Sequence, residues 1–243
     1  MKDYEIIHEK YLISNYLSNF GIKNVMSLKP INIKGDENYF ACELPKILHH
    51  MGLDYKSINV TRQVHSNNIA IAHDNGINFY DDTDGLIGAK GDVLVIKSAD
   101  CLPVIVYDCV NKRIAAVHSG WKGTANSIVK EAIQKMMGLG SRAKDLKIYV
   151  GPHIQKNSFE VMDDVKDVFE KNFSYEDIIF KKDETHYLID LGQVVKCDAM
   201  SLGVKEEEEN IYISELDTVT DKRFHSYRRD KKNYGLMYTL VCI

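Results

Sequence analysis

The sequence predicts an α+β fold, and three observations carry that prediction. Three short apolar runs, within residues 92–98, 104–107 and 114–117, are bounded by polar turns, as buried strands are. Residues 163–172 carry Val165, Val168 and Phe169 at helical spacing. Several strands are joined by turns too short for a crossover helix, such as Asn111-Lys112-Arg113, which favours α+β over a doubly wound parallel sheet. With 243 residues and 44% hydrophobic content, the chain can bury one substantial core, and residues 1–243 read as a single compact domain.

In chain order, residues 39–51 read as a helix through Leu44, Ile47, Leu48 and Met51, with Pro45 in its first turn. Residues 57–65 alternate as a strand, and Ile69-Ala70-Ile71-Ala72 is expected to return beside it. Asp81-Asp82-Thr83-Asp84-Gly85 is a turn. After the three apolar strands, a helix is expected at about 124–137, through Ile128, Val129, Ala132, Ile133 and Met136, stopped by Gly138 and Gly140. Lys147-Ile148-Tyr149-Val150 is a strand ending at Gly151-Pro152-His153. The helix at 163–172 follows, then a strand at 187–190, a helix near 191–202 and a strand at 211–213. The run Glu206-Glu207-Glu208-Glu209 reads as a solvated loop.

Composition excludes some functions. Net charge is −4, and the densest basic stretch, Arg228-Arg229-Asp230-Lys231-Lys232, is short and interrupted, so no nucleic-acid partner is expected. The N-terminus has no apolar signal region, and no apolar stretch reaches the ~18 residues of a membrane span. A cytoplasmic protein without membrane association is expected. The five scattered cysteines then read as thiols, not as a disulfide framework.

His65, Cys101 and His118 each stand where an apolar run ends. Two imidazoles and a thiolate at strand ends could share an open zinc site, since catalytic zinc takes three protein ligands and leaves one position free. Taken singly, each has a plainer reading as a satisfied histidine or a core cysteine. Ser119-Gly120-Trp121-Lys122-Gly123-Thr124 runs into a helix, so Gly120, Lys122 and Gly123 could cradle phosphate; a tight turn needing two glycines is the competing reading. Trp121 could stack on a base, though packing explains it more simply. Arg62 falls on the opposite strand face from His65 and needs a bend to reach the same cleft. Arg228 and Arg229 alternate faces, so only one should face the site, where a guanidinium would suit phosphate; a surface ion pair is the competing reading. Asp84 and Asp100 could orient a histidine, and Asp100 could instead cap the loop. His153 follows a Gly-Pro turn and could lie near the cleft or make a loop hydrogen bond.

Arg62-Gln63-Val64-His65, Ser98-Ala99-Asp100-Cys101-Leu102-Pro103-Val104 and Ala116-Val117-His118-Ser119-Gly120-Trp121-Lys122-Gly123 resemble the signatures of the YfiH-type laccase-domain family. That family is also called "polyphenol oxidase" and is now regarded as purine nucleoside phosphorylases. Val150-Gly151-Pro152-His153-Ile154, Phe159-Glu160-Val161 and Phe224-His225-Ser226-Tyr227-Arg228-Arg229-Asp230 extend the resemblance in the family's order, over roughly residues 57–235. It implies two related mixed β-sheet halves flanked by helices. It implies zinc on His65, Cys101 and His118. It implies phosphorolysis of adenosine, inosine and 5′-methylthioadenosine, with adenosine deamination as a further activity. The chain departs from the pattern at His153 and near Ser158 and Asp217, where family members often carry cysteine. Residues 1–56 also diverge, lacking the family's Thr-Arg-x-Gly-Gly segment and Asn-Arg pair.

The favoured expectation is a zinc-dependent purine nucleoside phosphorylase. His65, Cys101 and His118 would be catalytic, and Arg62, Gly120, Lys122, Gly123 and Arg228 would contact nucleoside or phosphate. The alternatives are a zinc hydrolase or deaminase, a metal-free cysteine hydrolase with Cys101 as nucleophile, a copper polyphenol oxidase, and a non-enzymatic binding module. Copper is the weaker expectation, because nine histidines without a His-x-His pair are too few for several copper centres. A monomer or small homo-oligomer is expected.

Overall fold

The computed structural model describes residues 3–35, 38–42, 44–50, 52–207 and 209–243. A hairpin, β1 (Tyr4–Ile7) and β2 (Tyr11–Ser14), leads through α1 (Asn15–Asn19) to β3 (Lys23–Ser27). Two short helices, α2 (Asn38–Cys42) and α3 (Leu44–His50), precede β4 (Ser57–Thr61), β5 (Ile69–Ile71), β6 (Gly76–Tyr80) and β7 (Gly85–Gly88). The long strands β8 (Asp92–Ser98), β9 (Leu102–Asp108) and β10 (Arg113–Ser119) run into α4 (Trp121–Ala125), α5 (Ile128–Gly138) and β11 (Leu146–Val150). Then come β12 (Glu160–Val161), α6 (Asp163–Asn172), β13 (Ile179–Lys181), β14 (Tyr187–Ile189), α7 (Leu191–Ser201), β15 (Ile211–Ile213), α8 (Tyr227–Asp230) and β16 (Met237–Cys242).

Among the described residues the strands form three sheets. One has seven strands in the order β1-β2-β3-β16-β8-β4-β6, one has six in the order β15-β11-β9-β10-β7-β5, and a small one is β12-β14-β13. Both large sheets are mixed: β4 is parallel to β8 and β6, while β16 is antiparallel to β8. The layers follow from side-chain alternation. On β8, Val93 and Val95 pack with Phe40, Leu44 and Leu48 of α2 and α3, whereas Leu94 and Ile96 enter the space between the large sheets. Ile105, Tyr107, Ile114 and Ala116 meet them there. Val104, Val106, Ala115 and Val117 face the other way, onto α5 and α7. These strands are apolar on both faces because both faces are covered, each buried Val, Leu or Ile contributing roughly 1.5–3 kcal/mol.

Several expectations need correction. The strand from 57 stops at Thr61, four residues early. The carboxylate of buried Asp84 accepts from the backbone N–H groups of Val64, His65 and Ser66 and bends the chain off the sheet, with His65 at φ 62°. β5 does not return beside β4; it runs parallel to β7 in the other large sheet. The helix at 124–137 is two helices, α4 and α5, separated at Asn126 and Ser127, where Ser127 is left-handed at φ 54°. Asn172 Nδ2 takes the Ala125 carbonyl that a continuing helix would have used. The α5 stop is at Gly140 (φ 99°), where Ser141 N–H returns to the Met136 carbonyl as in a Schellman cap; Gly138 is still helical. Of the expected first helix, 38–42 and 44–50 are helical with Pro45 in the first turn, and Met51 lies outside the described residues, as does the side chain of Ile47.

Candidate metal centre and its cleft

Three chain segments deliver three donors to one point. His65 hangs on the loop beyond β4, Cys101 on the tight turn from β8 to β9, and His118 on β10 beside the end of β9, opposite Pro103. Their ligand atoms all lie within 4.8 Å of one another. His65 Nε2 is 3.8 Å from Cys101 Sγ, and the two imidazole rings stand edge to face, 4.9 Å apart at 82°. A tetrahedral ion with bonds of ~2.3 Å to sulfur and ~2.0–2.1 Å to nitrogen would put those donors about 3.6 Å apart. The His65–Cys101 separation is close to that value, and two imidazoles and a thiolate are a donor set that zinc accepts. Among the described residues it is the one such convergence of His, Cys and carboxylate groups.

Gly120 makes the convergence possible. A Cβ there would lie 2.5 Å from His65 Cδ2 and 3.1 Å from Cys101 Sγ. Its backbone, φ −71° and ψ 167°, is open to any residue, so the glycine is required by space and not by conformation.

Asp84 orients the histidines. It is fully buried, and its Oδ1 accepts from His118 Nδ1 at 2.8 Å, directing Nε2 of that ring toward the other donors. Burial pushes the Asp84 carboxyl up, but the bonds from His118 and Ser66 outweigh it and hold the group down at about 2. For Cys101, burial likewise pushes the thiol up; the charge and hydrogen bond of His118, then those of His65, pull it down to about 6. His118 is pushed down by burial and drawn up more strongly by Cys101 and Asp84, to about 9. Thiolate and imidazolium stabilise each other, one interaction acting on both partners.

The triad lies in an open cleft of about 1370 Å³ that Arg62, Trp121, Lys122 and Arg228 also line. Arg62 reaches it because the chain bends at 62–66, so strand parity with His65 does not apply; its NH1 pairs with Asp81 Oδ1 at 2.8 Å. Lys122 Nζ sits 5.6 Å over the Trp121 ring. Trp121 itself packs against the core of the six-stranded sheet. Arg228 lies over Phe159, its NH1 donating to the carbonyls of Ser158 and Glu160. Arg229 turns away, bound to Asp230 and to the carbonyls of Thr218 and Phe224. A Cβ on Gly123 would lie 3.1 Å from the Ser66 carbonyl, so this glycine permits close packing of α4 on the His65 loop. Asp100 orients no histidine; it binds the 218–228 segment. His153 is buried, gives its Nδ1 proton to the Gly151 carbonyl and does not line the cleft; burial pushes its pKa down.

Sequence reasoning missed the wall formed by Glu160, Met162, His186, Tyr227 and Tyr234. Its residues come from the three-stranded sheet and from α8 and its flank. Two signals were present: Glu160 stands inside the Phe159-Glu160-Val161 motif, and Tyr227 stands inside the Phe224–Asp230 motif, next to Arg228.

The family model described as multi-copper polyphenol oxidoreductase laccase matches residues 32–243. A purine nucleoside phosphorylase of Borreliella burgdorferi is 30% identical over 226 residues, 90% of this chain and 93% of its own. Another, of Clostridium acetobutylicum, is 34% identical over 190 residues, 76% of this chain and 77% of its own. Among solved structures, the hypothetical protein YfiH of Bacillus licheniformis matches with a TM-score of 0.85 at 21% identity, over 100% of both chains. YlmD of Geobacillus stearothermophilus matches at 0.83 and 18% identity, over 99% of this chain and 98% of its own. These structural likenesses bear out the α+β fold with mixed sheets flanked by helices. No described helix is long and apolar enough to cross a membrane.

Proposed function

The chain belongs to the multi-copper polyphenol oxidoreductase laccase family, and from that premise we propose that it is a zinc-dependent purine nucleoside phosphorylase. In this reading it takes adenosine, inosine and 5′-methylthioadenosine with phosphate, has a secondary adenosine deaminase activity, and acts in the cytoplasm as one domain over residues 1–243. The name borne by its relatives supports the reaction class. The observation that carries the reading is the convergence of His65, Cys101 and His118 in a cleft that Arg62, Lys122 and Arg228 also line. Imidazole and thiolate donors with one open position suit zinc. The oxidase chemistry in the family's description lacks support here, since a multicopper centre needs several sites and the described residues form one.

His65, Cys101 and His118 would hold the ion, and Asp84 fixes the ring of His118. An ion held there would supply Lewis-acid charge for an oxygen of the bound reactants. Arg62, Lys122 and Arg228 hold the phosphate dianion, with the turn at Gly120–Gly123 beside it. The cleft, at about 1370 Å³, has room for a nucleoside and phosphate together. An oxygen of hydrogen phosphate bonds to ribose C1′ as the C1′–N9 bond breaks, and the proton that hydrogen phosphate carried ends on the leaving base. Positioning both reactants can supply on the order of 7–11 kcal/mol in the best cases.

The deciding experiment incubates adenosine with the purified protein, with and without phosphate, and identifies the products. Adenine and ribose 1-phosphate, formed with phosphate only, support the proposal. Adenine with free ribose, formed equally well without phosphate, makes the protein a nucleoside hydrolase. Inosine alone makes it a deaminase. The lowered Cys101 thiol favours one further reading, a metal-free cysteine hydrolase. Full activity in protein that carries no metal on elemental analysis would establish that reading instead.

A further inference from the structure

Tyr227 is held firmly by its backbone and left open at its ring. Asp100, next in sequence to Cys101, is a buried carboxylate on a left-handed residue (φ 82°). It accepts from Thr218 Oγ1 at 2.7 Å, from Ser226 Oγ at 3.0 Å and from the Arg228 backbone N–H at 2.6 Å. The last two donors flank Tyr227 on either side. Ser226 Oγ also caps α8, accepting from Arg229 N–H at 3.1 Å. The backbone of Tyr227 is therefore tied to the Cys101 turn by bonds to a charged acceptor, which are short and strong.

The side chain has the opposite character. Tyr227 is 57% exposed, and with Val64 at 53% and Met162 at 57% it presents large apolar surface in the cleft of the triad. A ring this wet on a segment this fixed contributes little to the core; exposed apolar groups gathered in a cleft mark a binding surface. Tyr234 stands edge to face with it, centroids 5.1 Å apart at 83°, which sets the attitude of the ring. Arg228, the neighbouring residue, lines the same cleft. Trp121, the aromatic the sequence suggested for a base, also lines the cleft but is partly buried against the core, with Lys122 Nζ 5.6 Å over its ring, so it offers less open face than Tyr227.

We propose that Tyr227 is the platform on which the nucleobase stacks, in a cleft that Val64 and Met162 also line with apolar surface. The inference rests on the phosphorylase reading and adds the site of the base. Stacking uses the π face that every base has, so the platform accepts adenine and hypoxanthine alike and discriminates little between them.

The test uses the full-length, zinc-loaded protein with adenine as the probe, titrated calorimetrically, beside steady-state phosphorolysis of adenosine. Tyr227→Ala should weaken adenine binding about 5- to 100-fold and raise KM for adenosine with it. Affinity for inorganic phosphate and zinc content should not change. Tyr227→Phe and Tyr227→Trp should keep adenine binding within about threefold, because the ring and not the hydroxyl is used. If the wild-type protein binds adenine and Tyr227→Ala binds it equally well, the platform is wrong and the phosphorylase reading stands. If the wild-type protein binds neither adenine nor adenosine, both fall. Sedimentation gives one more overturning result: a wild-type dimer that Tyr227→Ala converts to monomer would make the ring a contact between copies of this chain.

Discussion

Asp84 and His118 share a 2.8 Å hydrogen bond between Oδ1 and Nδ1, and the carboxylate that makes it also receives three successive backbone N–H groups from the loop of His65. One buried side chain thus sets the ring of one candidate ligand and the backbone of another. The donors are separated by 53 residues along the chain, but their relative position depends on a single group.

Asp84→Asn should therefore weaken metal binding by about 10- to 100-fold, the usual effect of losing the partner behind a ligating histidine. Competition with a chelator measures it. The fold should lose roughly 1.5–3 kcal/mol in urea titration, since bonds to a charged acceptor are lost. The pH dependence has a definite sign. The native carboxyl titrates at about 2, below the ~3.9 of an unfolded chain. Its stabilisation is fully present above pH ~4 and is lost as the pH falls toward 2. Acid unfolding of Asp84→Asn should be less steep over that window. Unchanged chelator competition would remove Asp84 from the site.

Gly120→Ala separates the site from the fold. The backbone there accepts alanine without strain, but the new Cβ would press on His65 Cδ2 at 2.5 Å and on Cys101 Sγ at 3.1 Å. Metal content after dialysis should fall to a small fraction of the wild-type value, while far-UV circular dichroism and the unfolding midpoint stay close to wild type. A variant that retains its metal would show that the His65 loop can yield by several tenths of an ångström.

Cys101 should be reactive only when the metal is removed. Its thiol titrates at about 6 through the charge of His118, whereas burial pushes those of Cys197 and Cys242 up. In chelator-treated protein, iodoacetamide should label Cys101 at pH 7 ahead of Cys197 and Cys242, with a rate that levels off near neutrality instead of climbing through pH 8–9. Zinc should suppress that labelling, because a coordinated thiolate is shielded. Equal labelling with and without zinc would count against ligation by Cys101.

Legibility in the sequence followed burial. β8, β9 and β10 are covered on both faces, so their apolar runs stand out, and the ends of those runs mark Cys101 and His118. α6 matched at Asp163–Asn172 because Phe169 and, in part, Val165 pack on the core while most other positions are charged, although Val168 is exposed. β1, β2 and β3 are only four or five residues long, too short for a period to stand out in the sequence. β16 lies at the centre of the seven-stranded sheet, and its Tyr238-Thr239-Leu240-Val241 was a usable strand signal. The partner of β5 was unreadable, since parallel pairing joins segments that no local turn connects. His65 was found as a residue but misplaced as strand, because the carboxylate that bends its loop lies 19 residues further along. The Glu160–His186–Tyr227 wall was missed because its elements are two to four residues long.

Lys122 gives the sharpest division between phosphate and nucleoside. It is exposed, it lines the cleft, and its Nζ lies over the face of Trp121. Lys122→Ala removes one positive charge from the side of the cleft where phosphate is proposed to bind, so KM for phosphate should rise several-fold. KM for adenosine should stay within about twofold, because a stacked base does not sense that charge at the same strength. Raising the salt concentration should shrink the difference between variant and wild type, as it does for a solvent-accessible cation acting on an anion. Arg228→Lys is the informative companion. It keeps the charge but loses the planar fork that reaches the Ser158 and Glu160 carbonyls, so it should disturb the wall of the cleft as well as phosphate binding. If Lys122→Ala changes both KM values equally, Lys122 shapes the cleft as a whole and the phosphate charge falls to Arg62 and Arg228.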